Sequence, residues 1–326
     1  MTTRALVPFA ASLALAGCWS NNPQIGNDEP FRITNPQAEF VEGRLVGSPI
    51  EDAGPNPPAA TDTGPPSTTS PRTVQLAFFP GQTGASFTGD ATTNTVAIGL
   101  ALDGSGSGYW VIPIGGPDPA TGRLTWAASA DFGRNVPIGR RNLRVVAIDK
   151  RGHAGEQAVV SLCIKGLVPD NLQSCSPKRE PPKAVISLSW DVNADLDLQV
   201  VGPDGRLLEP KRPTTTRLMD GGMPVAAEAS FDHDSNVGCA IDGFRVENLV
   251  WQTEAPEGRY QIYANLFDAC KQPAVRFGVA IFQAEGGGDG GPAHLVEKRT
   301  ATGELHDISA NGGSQRGLFV TEYVFH

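Results

Sequence analysis

The segment Asp195-Leu196-Asp197-Leu198-Gln199-Val200 alternates polar and apolar side chains without a break. Successive side chains of a strand point to opposite faces, so only a β-strand puts Leu196, Leu198 and Val200 on one side and Asp195, Asp197 and Gln199 on the other. Shorter runs of the same kind recur at Val74–Phe78, Val96–Leu102, Tyr109–Ile112, Leu124–Ala128 and Leu143–Asp149, and again at Ile186–Trp190, Val246–Trp251, Tyr260–Phe267, Val275–Phe282 and Gly317–Phe325. Gly- and Pro-rich turns such as Gly202-Pro203-Asp204-Gly205 separate them, and helix-forming runs are scarce. Regularly spaced short strands between such turns predict an all-β fold of two β-sandwich domains in tandem, residues 73–166 and 183–326, with a connector at 167–182. Trp110, Trp126, Trp190 and Trp251 are read as core residues of the two sandwiches.

Residues 18–72 show no apolar periodicity. Pro55-Asn56-Pro57-Pro58 and Gly64-Pro65-Pro66-Ser67 typify the stretch. A segment this poor in apolar side chains buries too little surface to offset its ordering entropy, so it reads as a disordered tether.

Before it, Arg4 leads into the apolar run Ala5–Leu15, which ends in Leu15-Ala16-Gly17-Cys18. A basic start, an apolar middle, small residues and a cysteine make up a secretion signal with a cleavage site. The pattern resembles that of bacterial lipoproteins. The resemblance implies a signal peptide over residues 1–17, a diacylglycerol on Cys18, and Trp19 resting at the membrane interface. It implies a tether that lifts the folded part off an envelope membrane, the outer rather than the inner one. Nothing downstream approaches the ~20 consecutive apolar residues of a spanning helix.

The net charge of −9 argues against a nucleic-acid partner, which needs clustered Lys and Arg. Five cysteines leave four after lipidation of Cys18. In an exported chain an even remainder suggests two disulfides. Three pairings are open, and the two local ones, Cys163–Cys175 and Cys239–Cys270, keep each bridge within one domain or its edge. A zinc site fails on spacing, since no Cys-x-x-Cys occurs and no His pair lies nearby.

Two further likenesses concern the domains. Pro137-Ile138-Gly139, the strand Leu143–Asp149 and the turn Lys150-Arg151-Gly152 resemble the penultimate strand of bacterial immunoglobulin-like domains. Trp190-Asp191, Asp195-Leu196-Asp197-Leu198, Gly202-Pro203-Asp204-Gly205 and Pro256-Glu257-Gly258-Arg259-Tyr260-Gln261-Ile262 resemble the YfaP family of exported bacterial domains. In that family an acidic, Gly-containing segment and a downstream Glu stand between these blocks, and here Asp232–Asn236 and Glu247 occupy their place. The likeness implies a β-sandwich and an exported setting more than an activity. It lapses at Gly286–Gly291 and Ala293–Asn311, which look like an added hairpin.

The acidic residues are the best candidates for chemistry. Asp195 and Asp197 share a strand face, and Asp232, Asp234 and Asn236 repeat an acid-x-acid-x-amide spacing suited to one hard cation. Calcium, with about six to eight oxygen ligands in flexible geometry, fits that donor set. The segment is not an EF-hand loop, because Gly238 comes one place late and Gly243 stands where a Glu should. The alternative is that these acids cap turns and solvate a sheet face. Gly104–Gly108 lacks the Lys-Ser/Thr of a phosphate loop and reads as a hairpin turn. Gly286–Gly291 is one imperfect copy of a calcium repeat that works only when stacked.

No nucleophile elbow and no His-Glu-x-x-His occurs. The expectation is therefore a non-catalytic binding or scaffolding protein of the envelope, with a glycan or protein ligand and no cofactor other than the calcium. Two rivals remain open: a hydrolase built on His233 and its neighbouring acids, and an accessory subunit of an envelope complex.

Overall fold

The computed structural model describes residues 26, 28–49, 65–213, 229–287 and 291–326. The signal segment, Cys18 and Trp19 lie outside them. The described residues form two β-sandwiches. Among them no helix is long and apolar enough to cross a membrane.

The first sandwich contains β1 (Phe31–Ile33), β2 (Glu39–Glu42), β3 (Ser48–Pro49), β4 (Thr68–Arg72), β5 (Ala77–Phe78) and β6 (Ala85–Ala91). It continues with β7 (Thr95–Leu102), β8 (Gly108–Pro113), β9 (Leu124–Phe132), β10 (Gly139–Asp149) and β11 (Glu156–Ile164). One sheet has the order β1-β9-β6-β4, and the other β2-β8-β7-β10-β11-β3 with β5 added to β11. The pairings of β3 and β5 with β11 are parallel. Inward-facing Ile98, Leu100, Leu143 and Val145 meet a cluster of Phe31, Phe78, Phe87 and Phe132. Gly104–Ser107 turn the chain between β7 and β8, as a hairpin should.

Two sequence expectations are corrected here. The tether does not extend to residue 72. Its later part builds the sandwich: β1 pairs with β9, β2 with β8, and β4 with β6. Phe31 and Ile33 are core residues, and the Trp110 indole N–H donates to the Phe31 carbonyl at 2.8 Å. The buried Gln157 amide donates to the carbonyls of Leu45, Val46 and Gly47, which fastens the chain beyond β2. Conversely, Val74 and Leu76 are exposed, and only Ala77–Phe78 of that expected strand pairs.

The second sandwich contains β12 (Ala184–Trp190), β13 (Asp195–Val201), β14 (Leu207–Leu208), β15 (Ala229–Phe231) and β16 (Val246–Trp251). It is completed by β17 (Gly258–Asp268), β18 (Ala274–Gly286), β19 (Ala293–His306) and β20 (Leu318–Phe325). Its sheets are β15-β16-β12-β18-β19 and β14-β13-β17-β20. Ile186, Leu188 and Trp190 face Leu196, Leu198 and Val200 across one core, with Trp251 packed edge-on to Tyr260. All four tryptophans assigned to cores are buried. The added hairpin is β18 with β19, paired from Ala274↔His306 to Gly286↔Ala293. Part of its glycine-rich turn, residues 288–290, lies outside the described residues.

The connector lies against both sandwiches. The Cys163–Cys175 disulfide and the Arg140 guanidinium, which donates to the Cys175 carbonyl at 3.0 Å, tie it to the first. Asn248 donates to the Leu167 carbonyl and Asn171 to the Gln252 side chain, each at 3.0 Å, which ties it to the second. Phe79 of the first sandwich stacks on Phe244 of the second, with ring centres 3.9 Å apart.

Candidate functional site

Strand β13 is buried on both faces. Leu196, Leu198 and Val200 enter the core as their alternation requires. Asp195, Asp197 and Gln199 point the other way, yet they are only 2 %, 7 % and 1 % exposed. Later parts of the chain cover them. The loop from Asp232 to Arg245 folds over one end, where the Gly238 N–H donates to Asp195 Oδ2 at 2.6 Å. The approach to β20 covers the other, where the Gly317 N–H donates to Gln199 Oε1 at 2.9 Å. The second disulfide, Cys239–Cys270, pins that loop to the chain just beyond β17. Both bridges have the local pairing favoured from the sequence.

Three of the five expected cation ligands come together. Carboxylate oxygens of Asp195, Asp197 and Asp234 lie within 4.8 Å of one another, with Asp195 and Asp197 buried and Asp234 half-buried. The other two are occupied elsewhere. Asp232 accepts the Asn248 backbone N–H at 3.1 Å and its side-chain amide at 2.9 Å, clamping the loop to β16. Asn236 donates to the carbonyls of Ala194 and Phe244, both at 3.0 Å, and accepts the Asp242 N–H. The acid-x-acid-x-amide spacing therefore does not deliver three ligands to one point: Asp234 reaches the cluster, while Asp232 and Asn236 hold the loop that carries it.

A fourth acid stands at the edge of this group. Glu247 is fully buried and shares its face of β16 with the core residues Leu249 and Trp251. Its carboxylate accepts the Leu198 N–H at 2.7 Å and the Ser235 N–H at 3.3 Å. It thus satisfies a stretch of β13 edge that the two-residue strand β14 leaves open. The YfaP likeness had marked Glu247, though without that role. Asn265, directly across the ladder from Asp197, was missed; only the β13–β17 register reveals it.

Burial dominates the electrostatics. The Asp195 carboxyl is raised to about 6: desolvation is the largest cause, the Gly238 N–H opposes it, and repulsion from Asp234, Asp268 and Asp242 contributes. Asp197 is raised to about 7, first by desolvation and then by Asp195 and Asp234, against Asn265 and Lys211. Glu247 is pushed well above the usual carboxylate range by burial and then by Asp197. Burial also raises Asp234. The site holds several carboxyls that resist joint ionisation.

His233 lies on the same loop, next to Asp234 in the chain. Its Nε2 is 2.8 Å from Asp242 Oδ2, and its ring packs on Phe244 at 4.6 Å. It borders a cavity of about 230 Å³ between the sandwiches, lined also by Phe79, Lys165, Leu167 and Val246. The neighbouring Ser235 hydroxyl is buried and donates to the Val246 carbonyl at 2.7 Å.

No family model matches this chain, and no curated protein matches it. Among solved structures, the C-terminal domain of the Streptococcus agalactiae antigen I/II polypeptide BspA aligns with 73% of this chain and 99% of its own, at 10% identity and a TM-score of 0.24. Fibronectin(III)-like modules of Clostridium thermocellum CbhA align with 77% and 96%, at 11% identity and a TM-score of 0.18. The sialic acid binding region of a Streptococcus sanguinis adhesin aligns with 75% and 78%, at 14% identity and a TM-score of 0.22. At such scores these likenesses add nothing to what the strand pairing shows, and the YfaP likeness rests on its own motif residues.

Proposed function

We propose that this chain is a non-catalytic, lipid-anchored envelope protein that presents two sandwiches for binding or scaffolding, and that the second takes up a calcium ion at Asp195, Asp197 and Asp234. The convergence of those three carboxylates on one point carries the cation reading. Among the described residues no Lys or Arg forms an ion pair with them. A divalent cation would relieve their repulsion, and three carboxylates offer up to about six oxygens to an ion that accepts flexible coordination. Magnesium, with its stricter octahedral geometry and firmly held waters, fits less well.

The non-catalytic reading is supported by the partners of His233 and its neighbour: Nε2 is directed to Asp242, and the nearest serine in sequence is committed to a backbone carbonyl. The anchor reading is supported by Leu15-Ala16-Gly17-Cys18. Thermal melting of the mature chain in millimolar calcium against chelator tests the cation. The calcium sample is expected to melt higher, and identical curves would sink the idea. Cys18→Ser tests the anchor, by moving the protein from the membrane fraction to the soluble one.

A further inference from the structure

The outer face of the sheet β1-β9-β6-β4 carries an open groove that the acidic cluster does not involve. In β6 and β9, Phe87, Trp126 and Ala128 point into the core while Thr88, Thr125 and Ala127 are exposed. Register places Arg72 opposite Thr88, Thr88 opposite Ala127, and Asp90 opposite Thr125. The groove over these residues measures about 380 Å³ and reaches Gly89 and Trp126. Gly89 has to be glycine, since a Cβ there would stand 2.6 Å from the Trp126 indole nitrogen. That nitrogen donates to the Thr68 hydroxyl at 3.0 Å, which fixes the ring.

Arg72 and Arg123 both donate to the same oxygen, Asp90 Oδ2, at 2.7 and 2.8 Å. Their side chains are 65% and 62% exposed. Among the described residues, two guanidinium groups against one carboxylate leave one positive charge uncompensated, in a chain whose net charge is −9. Each planar fork has further N–H donors beyond the one spent on Asp90, and a carboxylate matches that geometry. The Thr88 and Thr125 hydroxyls make no hydrogen bond to any described residue. The groove lies within the usual range of ligand pockets, roughly 300–1,000 Å³, and is far larger than the ~30 Å³ share of one water. It has room for more than a bare inorganic anion.

We propose that this groove binds an acidic saccharide, with the sugar carboxylate held by Arg72 and Arg123 and ring hydroxyls meeting Thr88 and Thr125. The proposal rests on the reading of the chain as a binding module and names the ligand class of its first sandwich.

The test is calorimetric titration of the mature chain with digalacturonate, with acetate and galactose as controls. Digalacturonate is expected to saturate the protein over a range in which acetate and galactose do not. Arg72→Ala and Arg123→Ala, both at exposed positions, should each weaken binding about tenfold, the loss of one charge-assisted contact. Asp90→Asn should lower the Kd, because it removes the internal competitor for both arginines. A merely structural ion-pair network would give no such gain. Failure of digalacturonate to bind, equal binding of acetate, or unchanged binding in the Arg72→Ala/Arg123→Ala double variant overturns the groove. A chain that ignores digalacturonate but is retained by neutral glycans or an envelope protein loses the groove and keeps the binding-module reading. A chain that binds none of these loses both.

Discussion

Asp197 and Asp195 make the second sandwich sensitive to pH. The folded Asp197 carboxyl titrates near 7 and that of Asp195 near 6, against an ordinary value of 3.8. Both are raised, so between pH ~4 and ~7 the folded chain holds more protons than the unfolded one, and stability falls as pH rises. The contribution is complete below the unfolded value and lost once pH passes the folded one. In chelator, urea unfolding should give a stability roughly 5 kcal/mol lower at pH 8 than at pH 4.5, since the two carboxyls together span about four pH units of that window and each unit corresponds to about 1.4 kcal/mol. Calcium should remove about half of that difference, because a bound ion favours the deprotonated site; linkage gives about 2.7 kcal/mol at a hundredfold excess over Kd. Asp197→Asn should raise metal-free stability at pH 8 and abolish the calcium response. A flat pH profile in chelator would contradict the account. Glu247 differs in kind, because its carboxylate accepts two backbone N–H groups. Glu247→Ala strands both donors in the interior and should cost about 2–5 kcal/mol, whereas Glu247→Gln keeps one acceptor and should cost less, as urea midpoints would show.

At the scale of elements, the strands supplied by the supposed tether are the sharpest test of the first sandwich. β1 is three residues long and β2 four, and each completes a sheet at its edge. Phe31 meets Phe87 and Phe132, so Phe31→Ala removes a buried aromatic and should cost about 3–5 kcal/mol in chemical denaturation. A variant starting at Thr73 should lose the first sandwich's cooperative transition; if it unfolds like the full chain, β1, β2 and β4 are not structural. The loop carrying Asp234 offers a second test. The Cys239–Cys270 bridge spans 31 residues, for which chain entropy predicts roughly 3–4 kcal/mol. The double Cys→Ser variant should lose about that much and bind calcium more weakly, because the loop would then have to be ordered at the moment of binding.

At the scale of the whole molecule, the described residues join the second sandwich to the first and to the connector through the Phe79–Phe244 stack, Asn248 on Leu167, Asn171 on Gln252, and Gln173 on Ala293. Cys163–Cys175 and Arg140 hold the connector that supplies most of these partners. Together they should keep the two domains in one orientation. Phe244→Ala combined with Cys175→Ser should broaden the distribution of interdomain distances seen by fluorescence transfer between labels on the two sandwiches. The first sandwich should also melt lower, since the bridge closes a loop of 12 residues worth roughly 3 kcal/mol. An unchanged distribution would show that other contacts hold the joint.

Period-two alternation by itself determined that this chain is all-β, where most strands run, and which side of β13 faces a core. Leu196, Leu198 and Val200 pack as read because sterics alone fix side-chain alternation in a strand. Chain proximity within a domain likewise favoured the two disulfide pairings that form. Strands of three or four residues, such as β1 and β2, hold too few alternations to stand out, and only pairing with β9 and β8 makes them visible. The environment of Asp195 and Asp197 was decided by tertiary structure. Alternation tells which way a side chain points and nothing about what later covers it; a loop from after β15 and the approach to β20 turned an outward acidic face into a buried one. The same folding directed Asp234 into the cluster and spent Asp232 and Asn236 on holding the loop, a division of labour that equal spacing along the chain cannot express.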